Sequence, residues 1–273
     1  MNAKTELKSA TPYEDIAAAF VVRHVMTPID EAFCVKPNET IESAVGRLNE
    51  RGFDYAPVRD IDKVVGIFKT DNTPRSFVAD VMQHLTPENT VDADAPLENL
   101  PMWLCQCPFQ IVLSKKQVIG LVNAADLNKE PLRSFLFLHI ASVERRLARL
   151  VRNEFPRDED WLAILSVSRR KRILNIEKDM DFGDVEIDLL EHVYFSDLIN
   201  IINGCSIGTI MAAELGWALS TDKDGINDLR TRICHTTKLL LRSADELSQL
   251  VESISGLHKV IEVADNMLHE STT

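Results

Sequence analysis

The spacing of apolar residues divides the chain into a part with short strands and a part with helices. In the first part, short apolar runs such as residues 55–58 and 64–68 are separated by polar turns, a pattern typical of strands. From Asp158 onward these runs nearly vanish, and apolar residues recur at three- and four-residue steps. The pattern predicts a multidomain α+β protein with an all-α C-terminal bundle of about five helices.

Several helices are predicted from this spacing. Pro131 is well placed in the first turn of a helix over residues 132–152, and further helices are predicted over residues 161–177, 185–203 and 207–220. An amphipathic run begins at Asn227 and keeps its apolar stripe as far as Ile254, which predicts one long helix. A last helical segment is predicted over residues 257–268.

The N-terminal part contains an internal repeat of about 55 residues. Val25-Met26 has a counterpart in Val81-Met82, which is a shift of 82 − 26 = 56 positions. A glycine opens an apolar triplet at Gly66 and again at Gly120, a shift of 120 − 66 = 54 positions. Each copy reads as a short strand, a helix, two strands joined by a polar turn, and a second helix. Two copies of one β-α-β-β-α unit predict a packed pair.

These residues resemble a tandem pair of CBS domains, a regulatory module that commonly binds adenine nucleotides between its two repeats. The resemblance covers residues 22 to about 130. It rests on Val-Met-Thr-Pro at residues 25–28, on Pro57-Val58 before the hairpin turn of the first copy, and on the apolar triplets that begin with a glycine. In the family, a polar residue after the triplet contacts phosphate, and an aspartate three residues later binds the ribose hydroxyls.

The resemblance implies one good nucleotide site. In the second repeat the two polar positions are Asn123 and Asp126, and residues Phe109, Gln110 and Ile111 would form the strand that contacts the base. In the first repeat the same positions hold Lys69 and Asn72, and an amide is a weaker ribose acceptor than a carboxylate. We expect AMP, ADP or ATP as a regulatory ligand at Asp126. The alternative, that Asp126 only caps the following helix, is compatible with that role.

Composition and charge restrict the class of protein. Thirty Lys and Arg against 42 Asp and Glu give a net charge of −12, which disfavours a general nucleic-acid coat. No apolar run is long enough to span a membrane, so no membrane partner is expected. Five scattered cysteines favour reduced thiols and a cytoplasmic protein. Basic clusters at residues 145–152 and 169–172 are most simply exposed faces balanced by acidic neighbours, Glu144 and Glu154 for the first and Glu177, Asp179 and Asp181 for the second.

Candidate chemistry lies at Arg230 and His235, near the start of the penultimate predicted helix. A guanidinium can hold a phosphodiester, and an imidazole can move a proton near neutral pH. Residues 229–235 resemble the Arg-x4-His signature of HEPN domains, a helical family that includes metal-independent ribonucleases whose Arg and His come together across a dimer interface. Thr231 departs from the polar residue commonest in the family after the arginine. The resemblance implies a catalytic pair with no metal cofactor.

The spacing of the pair favours a shared site. Five residues along an ideal helix correspond to roughly 140° of rotation, so Arg230 and His235 do not lie on one face of a single helix. We therefore expect a homodimer in which each His235 meets the partner's arginine. A structural alternative remains, in which Arg230 pairs with Asp224 or Asp228 and His235 is an interface residue.

Together these observations predict four segments: a helical lead-in (1–21), a CBS pair (22–130, with repeats of about 22–75 and 76–130), a connecting helix (131–155) and a HEPN-like domain (156–273). The predicted function is an adenine-nucleotide-sensing protein whose C-terminal domain cleaves RNA as a dimer. The alternative is a non-catalytic adaptor whose helical domain mediates dimerisation or binds RNA or a partner protein.

Overall fold

The structure is a computed structural model that describes residues 12–70, 77–179, 188–217, 219–220, 226–235 and 237–270. The chain divides into two compact units. The first, called the strand unit, comprises Ala18–Arg133 and Leu241–Leu250. The second, called the helical unit, comprises Met1–Ala17, Ser134–Leu240 and Val251–Thr273. The predicted combination of a strand-containing N-terminal region and a helical C-terminal region is confirmed.

The α-helices are α1 (Pro12–Ala17), α2 (Ile41–Asn49), α3 (Val78–Val81), α4 (Leu100–Gln106), α5 (Glu130–Glu154), α6 (Asp158–Leu162), α7 (Val167–Asp179), α8 (Phe195–Asn203), α9 (Ser206–Leu215), α10 (Ile226–Cys234) and α11 (Leu247–Glu270). The strands are β1 (Thr27–Pro28), β2 (Tyr55–Asp60), β3 (Lys63–Lys69), β4 (Gln83–His84), β5 (Thr90–Asp92), β6 (Phe109–Ser114) and β7 (Gln117–Asn123).

The strand unit holds two sheets that repeat one plan. One sheet has the order β1-β7-β6-β5, with β5 parallel to β6 and the other pairs antiparallel. The other has the order β2-β3-β4, and a parallel bridge between Val35 and Val58 stands where β5 pairs with β6. Both hairpins carry a register shift at equivalent positions, Val58/Arg59 and Val112/Leu113. The predicted strand near residues 33–35 is thus reduced to this single bridge.

The two repeats exchange their first strands. β1 opens the first repeat but pairs with β7 of the second, whereas β4 opens the second repeat but pairs with β3 of the first. The glycines found in the repeat allow this contact. A Cβ on Gly120 would lie 2.6 Å from the Thr27 carbonyl oxygen, and one on Gly66 would lie 2.6 Å from that of Gln83. Methionine side chains, Met26 and Met82, cover the same two glycines.

Two apolar clusters hold the strand unit together. One joins α2 to the inner face of β2 and β3 and includes Leu48, Val58 and Phe68. The other contains Ile67 from the first repeat and Phe109 and Ile111 from the second, so that both repeats share it. At its centre Tyr55 stacks on Phe109, with ring centroids 5.5 Å apart. Burial of aromatic faces at this point fixes the two repeats against each other.

The helical unit corrects the prediction of one long helix after Asn227. α10 ends at Cys234, and the next α-helix begins at Leu247. The interruption has a physical cause in a side chain far away in sequence. Asn128 donates to the carbonyl of Leu241 at 3.0 Å and accepts from its N–H at 2.9 Å. These two bonds take backbone groups that a continuous helix would have used internally.

The predicted helix over residues 161–177 is also interrupted. It forms α6 and α7, and the Arg170 guanidinium donates to the carbonyls of Leu162, Ala163 and Leu165 between them. Orphan carbonyls at the end of α6 are thereby satisfied. The predicted helix over residues 132–152 is confirmed by α5.

The two basic clusters are exposed faces only in part: Arg145, Arg149, Arg169 and Lys171 are exposed, but Arg146 is buried. Arg169 and Arg172 pair with the buried carboxylate of Asp197, at 3.4 and 3.2 Å, and Arg172 stacks 3.6 Å above the Tyr194 ring. Arg146, in the first cluster, is buried and forms a two-point pair with Asp265 at 2.8 and 3.1 Å. Asp181 lies outside the described residues.

Over the described residues, no single helix is long and apolar enough to cross a membrane. α8 and α9 pass the same test of length and composition only as a pair, bent by 94°.

Candidate functional site

The Asp126 carboxylate lies at the turn that follows β7, where the predicted ribose-binding aspartate was expected. Its Oδ2 accepts the Asn123 N–H at 2.8 Å, and the Asn123 side chain in turn accepts the Ala125 N–H at 2.8 Å. These reciprocal bonds form a capping box around the 3₁₀ turn Ala124–Asn128. The predicted capping role of Asp126 is therefore present, and it fixes the aspartate and Asn123 in one local frame.

Thr27 reaches the same carboxylate from a distant part of the sequence. Its hydroxyl lies 3.2 Å from Asp126 Oδ1, although 99 positions separate the two residues. The contact follows directly from the pairing of β1 with β7, in which Thr27 stands opposite Leu121. The Met-Thr-Pro motif of the first repeat and the Asn-x-x-Asp motif of the second thus meet at one point.

Lys129 completes this group of side chains. Its ammonium lies 2.7 Å from Asp126 Oδ1 and donates to the Val25 carbonyl at 2.6 Å and to the Thr27 hydroxyl at 3.3 Å. The side chain of Asp126 is only 7% exposed, while that of Lys129 is 41% exposed. The ammonium is therefore the solvent-facing partner of a carboxylate that is otherwise enclosed by protein.

The predicted base-contacting strand lies in the interior. Phe109, Gln110 and Ile111 are all buried, and the Gln110 side chain donates to the Trp103 carbonyl at 3.1 Å. Phe109 faces Tyr55, its counterpart in the first repeat. A base approaching this strand would meet the rim of the Tyr55–Phe109 stack, because the three side chains are buried and β6 lies between β5 and β7.

The equivalent place in the first repeat carries a different charge. Lys69 ends β3 and its ammonium lies 5.9 Å from the centre of the Tyr55 ring. Asn72, the counterpart of Asp126, lies outside the described residues. The first repeat thus offers a cation where the second offers Asn123.

The turn that carries Asp126 is also bonded to the segment that follows α10. Asn128 lies between Asp126 and Lys129, and it holds Leu241 by the two hydrogen bonds described above. Leu240, the residue before it, accepts a hydrogen bond at 3.0 Å from Arg232 of α10.

Arg230 and His235 occupy different kinds of position. Arg230 lies inside α10, and its Nε donates to Glu144 Oε1 of α5 at 2.8 Å. His235 follows the last helical residue, is exposed, and its N–H donates to the Thr231 carbonyl at 3.2 Å. Of the alternative partners considered for Arg230, Asp228 pairs with Arg232 instead, and Asp224 lies outside the described residues.

The ion pair between Arg230 and Glu144 uses only part of the Arg230 guanidinium. The bond is made through Nε, so the two terminal nitrogens are not used by this contact. Both side chains are 34% exposed, which keeps the pair open to solvent. An arginine fixed in this way presents a planar donor edge suited to phosphate oxygens.

Sequence reasoning missed three residues of these groups. Lys129 had a local signal, because an Asp and a Lys three positions apart face each other across a helical turn. Thr27 lay within a quoted motif, but only the strand exchange shows that it reaches the second repeat. Glu144 had no usable signal, since 86 residues separate it from Arg230.

Comparison with known proteins supports the CBS resemblance of the N-terminal part. Residues 22–71 match the family model described as CBS domain. A search of curated proteins gave no match.

Solved structures with similarity to the chain include several CBS proteins. A hemolysin-like protein from Oenococcus oeni is 16% identical, covers 43% of this chain and 94% of its own, and has a TM-score of 0.35. The CBS domain of a bacterial CNNM/CorC family Mg²⁺ transporter in complex with ATP is 18% identical, covers 45% and 92%, and has a TM-score of 0.36. CBSX2 in complex with AMP is 18% identical, covers 40% and 93%, and has a TM-score of 0.34.

Proposed function

We propose that this protein senses an adenine nucleotide at the turn that carries Asp126. The observation that carries the proposal is the meeting of Thr27 and Asp126, two polar side chains from the two repeats, beside the partly exposed ammonium of Lys129. A carboxylate accepts hydrogen bonds from the two ribose hydroxyls, and a lysine ammonium attracts phosphate. AMP, ADP and ATP share both groups.

Binding requires Lys129 to move. The Asp126 carboxylate already accepts the Asn123 N–H, the Thr27 hydroxyl and the Lys129 ammonium. Of these partners, the lysine is on the longest and most exposed side chain, so it is the one that a ribose displaces most easily. The released ammonium then lies within reach of the nucleotide's phosphate.

Isothermal titration calorimetry with AMP, ADP and ATP tests this site. The Asp126→Ala variant is expected to weaken binding by at least tenfold, because the loss of a charge-assisted hydrogen bond costs about 1.5–3 kcal/mol. Lys69→Ala, at the equivalent position of the first repeat, serves as the matched control and is expected to bind as the wild type does. Equal binding by Asp126→Ala and the wild type would show that the nucleotide binds elsewhere.

We further propose that the helical unit is a HEPN-like ribonuclease, acting as a homodimer. The observation that favours this proposal is that His235 is exposed at the end of α10, while Arg230 of the same helix donates a hydrogen bond to Glu144. His235 removes the proton of a ribose 2′-hydroxyl, whose oxygen attacks the adjacent phosphorus. Arg230 stabilises the charge on the non-bridging oxygens while the 5′-oxygen leaves and takes a proton from water, and the 2′-oxygen and the phosphorus form a cyclic phosphate.

RNA cleavage by the wild type, His235→Ala and Arg230→Ala tests this activity, in the absence and presence of each nucleotide. We expect the wild type to cleave RNA and both variants to be inactive. The matched control is His192→Ala, which changes a histidine in the turn between α7 and α8. Absence of cleavage by the wild type under every nucleotide condition would favour the non-catalytic adaptor, whose helical unit binds a partner without altering it.

The proposed link between sensor and effector is Asn128. Displacement of Lys129 from Asp126 disturbs the 3₁₀ turn that holds Asn128, and with it the two bonds to Leu241. Asn128→Ala is expected to keep nucleotide binding but to remove the nucleotide's effect on cleavage. An undiminished effect in this variant would rule out this route of coupling.

A further inference from the structure

A pair of histidines in the helical unit has no role in the sensor or in the proposed cleavage site. His139 lies in α5 and His258 in α11, and their ring centroids are 5.0 Å apart with the planes inclined by 51°. A ring nitrogen of each comes within 4.8 Å of a ring nitrogen of the other. Two imidazoles on facing helices are thus close enough for small side-chain rotations to bring them to one ion.

The hydrogen bond of His139 prepares it as a ligand. Its Nδ1 lies 3.1 Å from the Phe135 carbonyl oxygen, one helical turn earlier, and a carbonyl can only accept. Nδ1 therefore carries the proton when the ring is neutral, and the lone pair is on Nε2. A metal-bound histidine commonly donates its second ring nitrogen to a backbone carbonyl in this way, which fixes both tautomer and orientation.

Burial and packing hold this ring in one position. His139 is only 6% exposed, and its ring packs on that of Phe135, with centroids 4.3 Å apart. His258 is partly exposed and gives an ion access from solvent. A rigid inner ligand with a more accessible second ligand lowers the cost of ordering the site when an ion arrives.

We propose that His139 and His258 bind a divalent transition-metal ion between α5 and α11. Imidazole is a ligand suited to Zn²⁺, Cu²⁺ and Ni²⁺, whereas Mg²⁺ and Ca²⁺ prefer oxygen ligands. Zn²⁺ accepts nitrogen ligands at about 2.0–2.1 Å in a tetrahedral arrangement, and water completes the coordination of a site with fewer protein ligands. The site cross-links the two longest helices of the unit, so it is a stabilising site and is independent of the proposed ribonuclease chemistry.

Zn²⁺ binding to the full chain tests this site, measured by calorimetry in the presence of a phosphine reductant, because thiol reductants themselves bind Zn²⁺. The wild type is expected to show a site that weakens at least tenfold in both His139→Phe and His258→Phe. Phenylalanine keeps a ring of similar shape in contact with Phe135 but offers no nitrogen. His269→Ala, in the last turn of the same α11, is the matched control and is expected to retain the site.

Thermal unfolding gives a second readout. Saturating Zn²⁺ is expected to raise the midpoint of the wild type and of His269→Ala, because a ligand that binds only the folded state stabilises it. The midpoints of the two phenylalanine variants are expected not to respond. Wild-type Zn²⁺ affinity in either phenylalanine variant would overturn the proposal and assign the ion to other ligands, such as the free cysteines. If His139→Phe fails to fold, His258→Phe decides alone.

Discussion

The Asp126 carboxylate and the Lys129 ammonium lie 2.7 Å apart within a single turn, and Thr27 of the other repeat contacts both. This pair sets the electrostatics of the proposed nucleotide site before any ligand binds. The carboxylate is enclosed and the ammonium is partly exposed, so the lysine both neutralises the aspartate and competes for it.

Replacement of Lys129 by Met is expected to tighten the binding of adenosine, which has a ribose but no phosphate. The partly exposed ion pair is worth about 1 kcal/mol, and its removal frees Asp126 for the ribose, which corresponds to roughly fivefold higher affinity. Calorimetry with adenosine measures the change, with Lys69→Met as control. Unchanged or weaker adenosine binding would mean that Lys129 does not compete for Asp126.

Substitution of glycine by alanine is expected to have opposite effects on stability at the strand contacts and in a helix. Gly120→Ala and Gly66→Ala each place a Cβ 2.6 Å from a carbonyl oxygen of the exchanged strand, which forces the strands apart. We expect each to lower the free energy of unfolding by about 1–3 kcal/mol. Gly46→Ala in α2, where no atom lies within 4 Å of the new Cβ, is expected to raise it by about 0.5–1 kcal/mol.

Denaturant unfolding measures all three variants under one condition. The sign of the change is the informative quantity, because the same chemical substitution is expected to stabilise at one position and to destabilise at two. Stabilisation by Gly120→Ala would contradict the close approach of β1 to β7.

Arg146 is expected to be the most sensitive arginine of α5. Its guanidinium is buried and pairs with Asp265 and, at 3.0 Å, with Glu14. Arg146→Met leaves these two carboxylates without their cation, which is expected to lower the free energy of unfolding by about 2–3 kcal/mol. The loss is small for a buried ion pair because Asp265 is partly exposed. Arg145→Met, at the exposed neighbouring position, is expected to change stability by less than about 0.5 kcal/mol. Equal effects of the two substitutions would argue against the buried pair.

Glu39 is expected to make the stability of the strand unit depend on pH. Burial alone raises the pKa of Glu39, but hydrogen bonds from Arg47, Ser43 and the Lys36 N–H outweigh it, so the pKa is lowered. A lowered carboxyl pKa contributes stability above the ordinary value of about 4.3, and this contribution is lost as the pH falls through the folded-state pKa.

The Glu39→Gln variant should therefore be less stable than the wild type at pH 7, by about 1 kcal/mol, and the difference should shrink below about pH 4.3. Thermal unfolding between pH 7 and pH 3 measures it. Glu42→Gln, which makes the same substitution in the first turn of the same helix, is the matched control. A Glu39→Gln deficit that stays constant down to pH 3 would assign the effect to packing.

The repeat was predictable because short stretches of sequence with similar residues occur in both copies. The glycines at residues 66 and 120 are 54 positions apart and the methionines at residues 26 and 82 are 56 positions apart, and each hairpin has its own turn signal. Their physical role was not predictable, since each glycine accommodates a strand from the other repeat.

The helical unit shows where periodicity fails. The apolar stripe from Leu229 to Ile254 has helical spacing throughout, yet residue 235 and residues 237–246 depart from the α-helix. Leu240 and Leu241 are buried, as the stripe predicts, but Asn128 takes the backbone groups of Leu241. Long-range hydrogen bonds of this kind leave no trace in the spacing of hydrophobic residues, and the same holds for the pairing of Arg230 with Glu144.

The exchange of β1 and β4 between the repeats also bears on how such a module arose. A lone repeat lacks the strand that covers its own hairpin, so a single-repeat ancestor would have closed both sheets only by associating with a second copy. Two copies joined in one chain make that association an intramolecular step, which does not depend on protein concentration. The joined copies need not carry the same side chains, and Lys69 and Asn123 differ at equivalent positions.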